Sequence, residues 1–239
     1  MFISSGSIRI AMAIIPRALS VMDNLNVYLT SNGLKPASRV SFRFKSNQAY
    51  NQPGPRIASE QFAIYVQQMP REDTALIQRD LRTFESYLSD LDLYFKHDSS
   101  FADRMNNAKD NSRTFITVVQ QIAKDQESLD ALVDAESYVE EGLALGFPEE
   151  SVHAFGKMID GRIRNYSYLR DNIQQTLAAG MKVPSWLAYI SFIPDQIDIV
   201  GGDISPSAES VGMRYQEYVR KNNFVMARIV EEKFKSELE

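Results

Sequence analysis

Two histidines, His97 and His153, are the only imidazoles that the sequence offers for acid–base chemistry or metal binding. His153 follows Glu150 by three residues, and this spacing places a carboxylate and an imidazole on one helix face, as di-iron bundles require. Such a site needs a second pair, yet the residue three positions before His97 is Tyr94. The pattern favours a helix-surface or partly packed position for His153. It favours a helix C-terminus for His97, where a cation interacts well with the helix dipole.

Three aspartates in one turn-rich segment are the other candidate ligands. Asp195, Asp198 and Asp203 surround the pair Gly201-Gly202 and could hold Mg²⁺ or approach a phosphate. Acids in such segments more often form ordinary turns, because their side chains accept hydrogen bonds from the nearby backbone. A helical metal-dependent enzyme that uses these carboxylates therefore remains one alternative function, and no metal ligand is assigned.

Motifs for the common catalytic and cofactor-binding sites are missing. The chain has no cysteine, which removes disulfides, thiolate metal sites and cysteine nucleophiles. It contains neither the Gly-x-Ser-x-Gly elbow of serine hydrolases nor the glycine-rich loops that bind nucleotide phosphates. The sequence therefore predicts a non-enzymatic protein without a cofactor, and no motif indicates membership of a family.

Charge is distributed unevenly along the chain. Residues 1–59 contain seven Lys or Arg residues and a single acid, Asp23, so their net charge is +6. Because the whole chain carries −5, the remaining residues form an acidic body. A basic arm of this kind is expected to contact nucleic acid, an anionic membrane, an acidic subunit or its own body.

The first 22 residues resemble a targeting segment in composition. They are rich in serine and small apolar residues, contain Arg9 and Arg17, and have no acid. This composition is more typical of a mitochondrial transit peptide than of a secretory signal. A mitochondrial or other organellar complex is therefore favoured, with a viral particle or the cytoplasm as alternatives. No apolar stretch is long enough to predict a membrane-spanning helix.

The pattern before residue 57 predicts mostly extended chain. Polar and apolar residues alternate over 39–45, which indicates a strand. One face holds Val40, Phe42 and Phe44, and the other holds Arg39, Arg43 and Lys45. A second β-prone run at 27–30 and a turn signal at 31–33 predict a hairpin over 26–45, followed by a loop to residue 56.

From residue 57 onward, apolar residues recur at helical spacing. A first short helix is predicted for 57–69, and the clearest stripe follows it: Ile77, Leu81, Phe84, Leu88, Leu91 and Phe95. Ser99 or Ser100 is expected to cap a third helix with Phe115, Val119 and Ile122 on its inner face. Pro148 starts another helix. The last is predicted from Pro206 to the end, with Val211, Tyr215, Tyr218, Val225 and Ile229 on one side.

An aromatic segment at 183–202 separates the last two predicted helices. It contains the only tryptophan, Trp186, together with Tyr189 and Phe192. Two prolines and Gly201-Gly202 limit any long helix there. The segment is predicted either to be a buried crossover that closes one end of the bundle or to be a docking surface, since Trp and Tyr are enriched at interface hot spots.

These observations predict a mainly α protein, with a basic, partly β arm at 1–56 and a bundle of five to six amphipathic helices at 57–239. The leading functional hypothesis is a structural or accessory subunit of a larger assembly, with other protein subunits as partners. The expected partner-binding residues are Arg39, Arg43, Lys45, Trp186, Tyr189 and Phe192. The main alternative is a nucleic-acid-binding protein that uses the basic arm, for which Arg39, Arg43 and Lys45 would contact phosphates.

Overall fold

The computed structural model describes residues 19–46, 56–57, 71–104, 114–159 and 168–238. The eight α-helices within these ranges are α1 Val21–Ser31, α2 Arg71–Asp90, α3 Gln126–Val133, α4 Tyr138–Ala144, α5 Glu149–Ile159, α6 Tyr168–Ala178, α7 Pro206–Asn222 and α8 Phe224–Leu238. The mainly α class is confirmed. The bundle and the separate N-terminal arm are not, because helices in this structure pack around a β-sheet.

The sheet is antiparallel and has four strands in the order β1-β4-β3-β2. Its strands are β1 Ala37–Ser46, β2 Arg56–Ile57, β3 Tyr94–Arg104 and β4 Thr114–Ala123. The strand predicted at 39–45 is confirmed as part of β1, which pairs with β4 from Ala37↔Ala123 to Ser46↔Thr114. The predicted helix at 57–69 lies outside the described residues apart from Ile57, which belongs to β2.

The helix predicted after Ser99 or Ser100 is wrong. Both serines lie in β3, and Phe115, Val119 and Ile122 lie in β4. Every residue from 116 to 123 is buried, so β4 is covered on both faces. A strand covered on both faces shows no polar–apolar alternation, so the apolar residues of β4 also fit a helical spacing. The enrichment of β4 in Thr, Ile and Val is the signal that favours a strand.

The predicted hairpin over 26–45 is also wrong in its first half, because residues 21–31 form helix α1. The Ser20 side chain accepts a hydrogen bond from the Asp23 backbone N–H at 3.0 Å and caps the helix. Val27 packs in the core cluster beside the sheet, whereas Leu25 and Leu29 pack in a second cluster with α7 and α8. Contacts on two sides override the β-propensity of this run.

Helix α2 carries the stripe that was predicted most clearly. Phe84 and Leu88 are completely buried, and Ile77, Leu81 and Leu91 pack around them. The stripe covers a face of the sheet, where the Phe84 and Phe42 ring centroids are 4.1 Å apart. Phe95 lies in β3, so it joins the same core after the helix has ended.

Helices α3 and α4 cover the other side of the sheet, and α5 packs on α4. Leu129, Leu132 and Leu145 pack on Ala37 of β1 and Ala123 of β4. Asp125 and Ser137 cap α3 and α4, and α5 begins directly after Pro148, as predicted. None of the described helices is both long and apolar enough to cross a bilayer.

The aromatic segment forms a 3₁₀ turn at Ser185–Tyr189 and a short hairpin of β5 Ile197–Asp198 and β6 Asp203–Ile204. The Asn172 side chain on α6 holds this hairpin, donating to Ile197 O at 2.6 Å and accepting from Ile199 N at 3.2 Å. The 3₁₀ turn packs between α1, α7 and α8. The segment therefore connects the helices through the core.

The prediction of one last helix from Pro206 to the end is wrong. Asn223 interrupts it with non-helical backbone, and its side chain accepts a hydrogen bond from Met226 N at 3.0 Å, which starts α8. Met226, Ala227 and Val230 then face the core, whereas Val225 and Ile229 are exposed. The break changes which face of the helix is buried.

Gly212 on α7 provides a test of this packing. A Cβ atom added there would overlap Trp186 Cε3 and lie 3.1 Å from Trp186 Cδ2. We therefore expect Gly212→Ala to lower the free energy of unfolding by about 1–3 kcal/mol, because overpacking outweighs the helix propensity of alanine. Urea unfolding monitored by circular dichroism measures this change.

Gly156 on α5 is the matched control. A Cβ added there would lie 3.5 Å from Val139 Cγ2, an ordinary van der Waals distance. Gly156→Ala should therefore stabilise the protein by about 0.5–1 kcal/mol. Equal effects of the two substitutions would contradict the close packing of Trp186 on α7.

Candidate functional site

The three cations of the predicted basic strand have different surroundings. Arg39 is bonded within the chain, with its Nη1 2.5 Å from Glu141 Oε1 and its Nη2 3.6 Å from Asp98 Oδ1. Arg43 is exposed, and the side chain of Lys45 lies outside the described part of the structure. The strand thus contacts the acidic body of its own chain through Arg39, which is one of the contacts expected of a basic arm.

Two of the three predicted aromatic contacts are core residues of this chain. Trp186 and Tyr189 are buried, whereas Phe192 is half-buried. Tyr189 donates a hydrogen bond to Glu231 Oε1 at 2.8 Å, and burial together with this carboxylate raises the pKa of the phenol. The structure therefore shows a buried crossover here, and the role of these rings in binding a partner stays a prediction.

The three candidate metal-ligating aspartates are engaged separately. Asp198 and Asp203 are cross-strand neighbours, and Asp198 Oδ1 accepts from Gly201 N at 2.8 Å in a turn. Asp203 accepts from the Gln196 amide, and Asp195 Oδ1 accepts from the Ser151 hydroxyl at 3.2 Å. In the part of the chain that the structure describes, no three acids or histidines come together to hold a metal ion.

The histidines differ from expectation in one case. His153 lies on the surface of α5 with Nε2 3.6 Å from Glu149 Oε1, in agreement with its predicted surface position. His97 lies in β3 beside a bulge, so its predicted place at a helix C-terminus is wrong. The reason is that the α2 helix ends at Asp90, seven residues earlier than His97.

Lys35 is a site residue that sequence reasoning missed. Its side chain is 2% exposed, and its Nζ donates to Asn26 Oδ1 at 3.0 Å and to Ser191 Oγ at 3.3 Å. The Phe147 ring centroid lies 5.2 Å from the same nitrogen. Burial lowers the pKa of this amine to about 7. A lysine in a loop is normally exposed, so no signal in the sequence marked it.

A cavity of about 250 Å³ lies next to this lysine, between α4, α5 and the aromatic segment. Its lining is mainly apolar: Tyr138, Gly142, Leu145, Phe147, Val152, Phe155, Phe192 and Ile193. Its polar lining residues are Glu141, Ser151 and Ser191. Ser191 therefore belongs both to the cavity wall and to the hydrogen bonds of Lys35.

A second feature is the C-terminal patch, which we define as Phe224, Val225 and Ile229. Phe224 is 72% exposed, Val225 is 41% exposed and Ile229 is 42% exposed. Val225 and Ile229 are one helical turn apart, so they are neighbours on the surface of α8. A groove of about 400 Å³ beside Phe224 is lined by Arg220, Ala227, Arg228, Glu231, Glu232 and Lys235.

Comparison with protein-family profiles, curated proteins and solved structures finds no match for this chain. Two features of the described residues could bind a partner or ligand, namely the C-terminal patch and the cavity beside Lys35. They differ in chemistry. The patch is apolar and exposes a phenyl ring, whereas the cavity is joined to the buried amine of Lys35 through Ser191.

Proposed function

We propose that the chain is a non-enzymatic structural subunit of a protein assembly and that its C-terminal patch binds a second copy of the chain. The observation that carries this proposal is the exposure of Phe224, which projects most of its ring into solvent at the start of α8. Phenylalanine side chains are enriched in the cores of protein interfaces. Burying such a ring contributes about 1.5–3 kcal/mol.

The charges of the groove beside Phe224 support a second copy of the chain as the partner. Three cations, Arg220, Arg228 and Lys235, line the groove with two acids, Glu231 and Glu232. Two ion pairs join them. Arg220 Nη2 lies 2.7 Å from Glu231 Oε1, and Arg228 Nε lies 2.7 Å from Glu232 Oε1. A nearly balanced surface favours neither a strongly basic nor a strongly acidic partner. It can instead face its own copy across a twofold axis, the commonest symmetry of protein oligomers.

The nucleic-acid alternative has less support from the described contacts. Of its three predicted phosphate-binding residues, Arg39 is already paired with Glu141 and Asp98. Arg43 is exposed, and the side chain of the third residue, Lys45, lies outside the described part of the structure. Since nonspecific nucleic-acid binding depends on several such contacts, neutralising one of them within the chain weakens the case.

Light scattering of the full chain tests the proposal. At concentrations up to about 0.1 mM, where micromolar association is saturated, we expect a mass above the 27.1 kDa of one chain. Replacing all three patch residues, as Phe224→Gln, Val225→Gln and Ile229→Gln, should weaken self-association at least about tenfold. Glutamine is a good helix former, so α8 should remain folded.

The control replaces three exposed apolar residues elsewhere, as Leu76→Gln, Leu177→Gln and Met213→Gln. This variant should associate as the unchanged chain does. A monomer at the highest concentration, or loss of association in both triple variants, would contradict the proposal. Circular dichroism of each variant separates loss of association from loss of folding.

A further inference from the structure

We propose that the cavity between α4, α5 and the aromatic segment binds a small apolar carboxylic acid, with its carboxylate at Ser191 and its charge neutralised by Lys35. This inference is independent of the self-association proposed above. The site joins an apolar chamber to a buried amine through a single hydroxyl group. Such a combination of mainly apolar lining and a few placed polar groups is typical of small-molecule sites.

Lys35 has no carboxylate partner among the described residues. A buried ammonium group is normally paired with a carboxylate, because an isolated charge is costly to remove from water. The hydrogen-bond acceptors of Lys35 within the described residues are neutral, namely the Asn26 amide and the Ser191 hydroxyl. A carboxylate bound beside Ser191 would supply the opposite charge.

Ser191 can bind Lys35 and a carboxylate at the same time. A serine hydroxyl has one donor and two acceptor positions. When the Lys35 ammonium donates to Ser191 Oγ, the hydroxyl hydrogen is free to turn toward the cavity that Ser191 lines. A carboxylate oxygen there can accept this hydrogen, so the protonated lysine and the bound anion stabilise each other through one side chain.

The other charged and titratable groups that face the site do not oppose this assignment. Glu141 lines the cavity, but its carboxylate is paired with Arg39 at 2.5 Å. Asp195 lies behind the wall, where it accepts a hydrogen bond from Ser151. Tyr138 contributes an exposed phenol from α4. Asn26 of α1 and Phe147, which also contact Lys35, carry no charge.

The cavity size selects the class of acid. A volume of about 250 Å³ lies just below the ~300–1,000 Å³ of pockets for drug-sized ligands, so the ligand must be smaller. The Phe147 and Phe192 rings lie 5.2 Å apart and form an apolar wall near Ser191. A medium-length aliphatic acid fits both the volume and the lining, and octanoate is the appropriate probe.

Calorimetry of the full chain with three probes of equal length tests the proposal. Octanoate should bind at least about tenfold more tightly than 1-octanol, and octylamine should bind most weakly, because only octanoate pairs with Lys35. In the ligand-free chain at pH 8 the Lys35 amine is mostly neutral, since its pKa is about 7. Binding should therefore take up close to one proton, measured from the enthalpy in buffers of different ionisation heat.

Two variants separate the roles of the side chains. Lys35→Met should bind octanoate no better than octanol and take up no proton. Ser191→Ala should weaken octanoate binding about fivefold to twentyfold through the lost hydrogen bond while keeping the proton uptake. The control Lys182→Met changes an exposed lysine and should behave as the unchanged chain does.

Several outcomes would overturn the assignment. It fails if octanoate does not bind at about 5 mM, or if octanol binds equally well. It also fails if proton uptake persists in Lys35→Met. If circular dichroism shows that Lys35→Met is unfolded, Ser191→Ala tests the assignment instead. An unchanged affinity of that variant for octanoate would show that the carboxylate does not bind at Ser191.

Discussion

Substituting methionine for Lys35 is expected to raise the free energy of unfolding at pH 6 and to remove most of its rise with pH. The folded chain holds this amine with a pKa of about 7, against 10.5 for an exposed lysine. Between these two values the unfolded chain binds more protons, so stability rises with pH across this window. Below pH 7 the amine is protonated in both states, and the cost of burying its charge is complete.

The size of the effect follows from the two pKa values. The difference corresponds to an upper limit of about 5 kcal/mol below pH 7, at 1.36 kcal/mol for each unit. Methionine fills similar space without charge but leaves Asn26 without its donor, which costs about 1–3 kcal/mol. We therefore expect a net gain of about 2–4 kcal/mol at pH 6, decreasing toward pH 10.5.

Urea unfolding at pH 6, 7.5 and 9 measures this difference. The control Lys182→Met should keep the slope of the unchanged chain, because Lys182 is exposed. A rise of stability with pH that is equally steep in Lys35→Met and in the unchanged chain would show that another group causes it. The experiment needs no ligand, so its result is independent of the binding proposal.

Removing the Phe84 ring is expected to have the second large effect. Phe84 is completely buried between α2 and the sheet, and its ring contacts that of Phe42 edge to face. Phe84→Ala should lower the free energy of unfolding by about 3–5 kcal/mol through lost burial and the cavity that remains. A loss of this size is a large part of the ~5–15 kcal/mol that stabilises a typical domain.

Leu76→Ala on the same helix is the control, because Leu76 is exposed and its loss should change stability by no more than about 0.5 kcal/mol. Equal effects of the two substitutions would mean that α2 does not pack on the sheet through Phe84. Denaturant midpoints and slopes together show whether the native state or only its stability has changed.

The elements that the sequence predicts best are those with one buried face. The stripe on α2 repeats at helical spacing, and the strand at 39–45 alternates, because each exposes its other side to solvent or polar neighbours. Helix α5 was predictable from Pro148 and the acids after it. In each case a local sequence pattern is sufficient to predict the element.

The elements that it predicts wrongly are buried on more than one side. Helix α1 contacts the sheet through Val27 and the C-terminal helices through Leu25 and Leu29, so its apolar residues show no single stripe. Strand β4 is buried on both faces. Asn223 could have indicated the break before α8, since asparagine is a preferred N-cap, but the apolar spacing across it favoured one helix.

The candidate sites depend even more on tertiary structure. The burial of Lys35 requires Asn26, Phe147 and Ser191, which are far apart along the chain. Phe224 is exposed, whereas Met226, Ala227 and Val230, which follow it on α8, are buried in the core. Both features arise from contacts between distant segments, which one sequence does not reveal.

The position of α1 between the sheet and the C-terminal helices has a consequence for synthesis of the protein. Roughly 200 residues separate α1 from α8, the helix that covers Leu25 and Leu29. At about 5–20 residues per second, a ribosome needs about 10–40 s to make that length. Helix α1 is therefore synthesised well before α8, and the apolar side that α8 covers is available to chaperones throughout that interval.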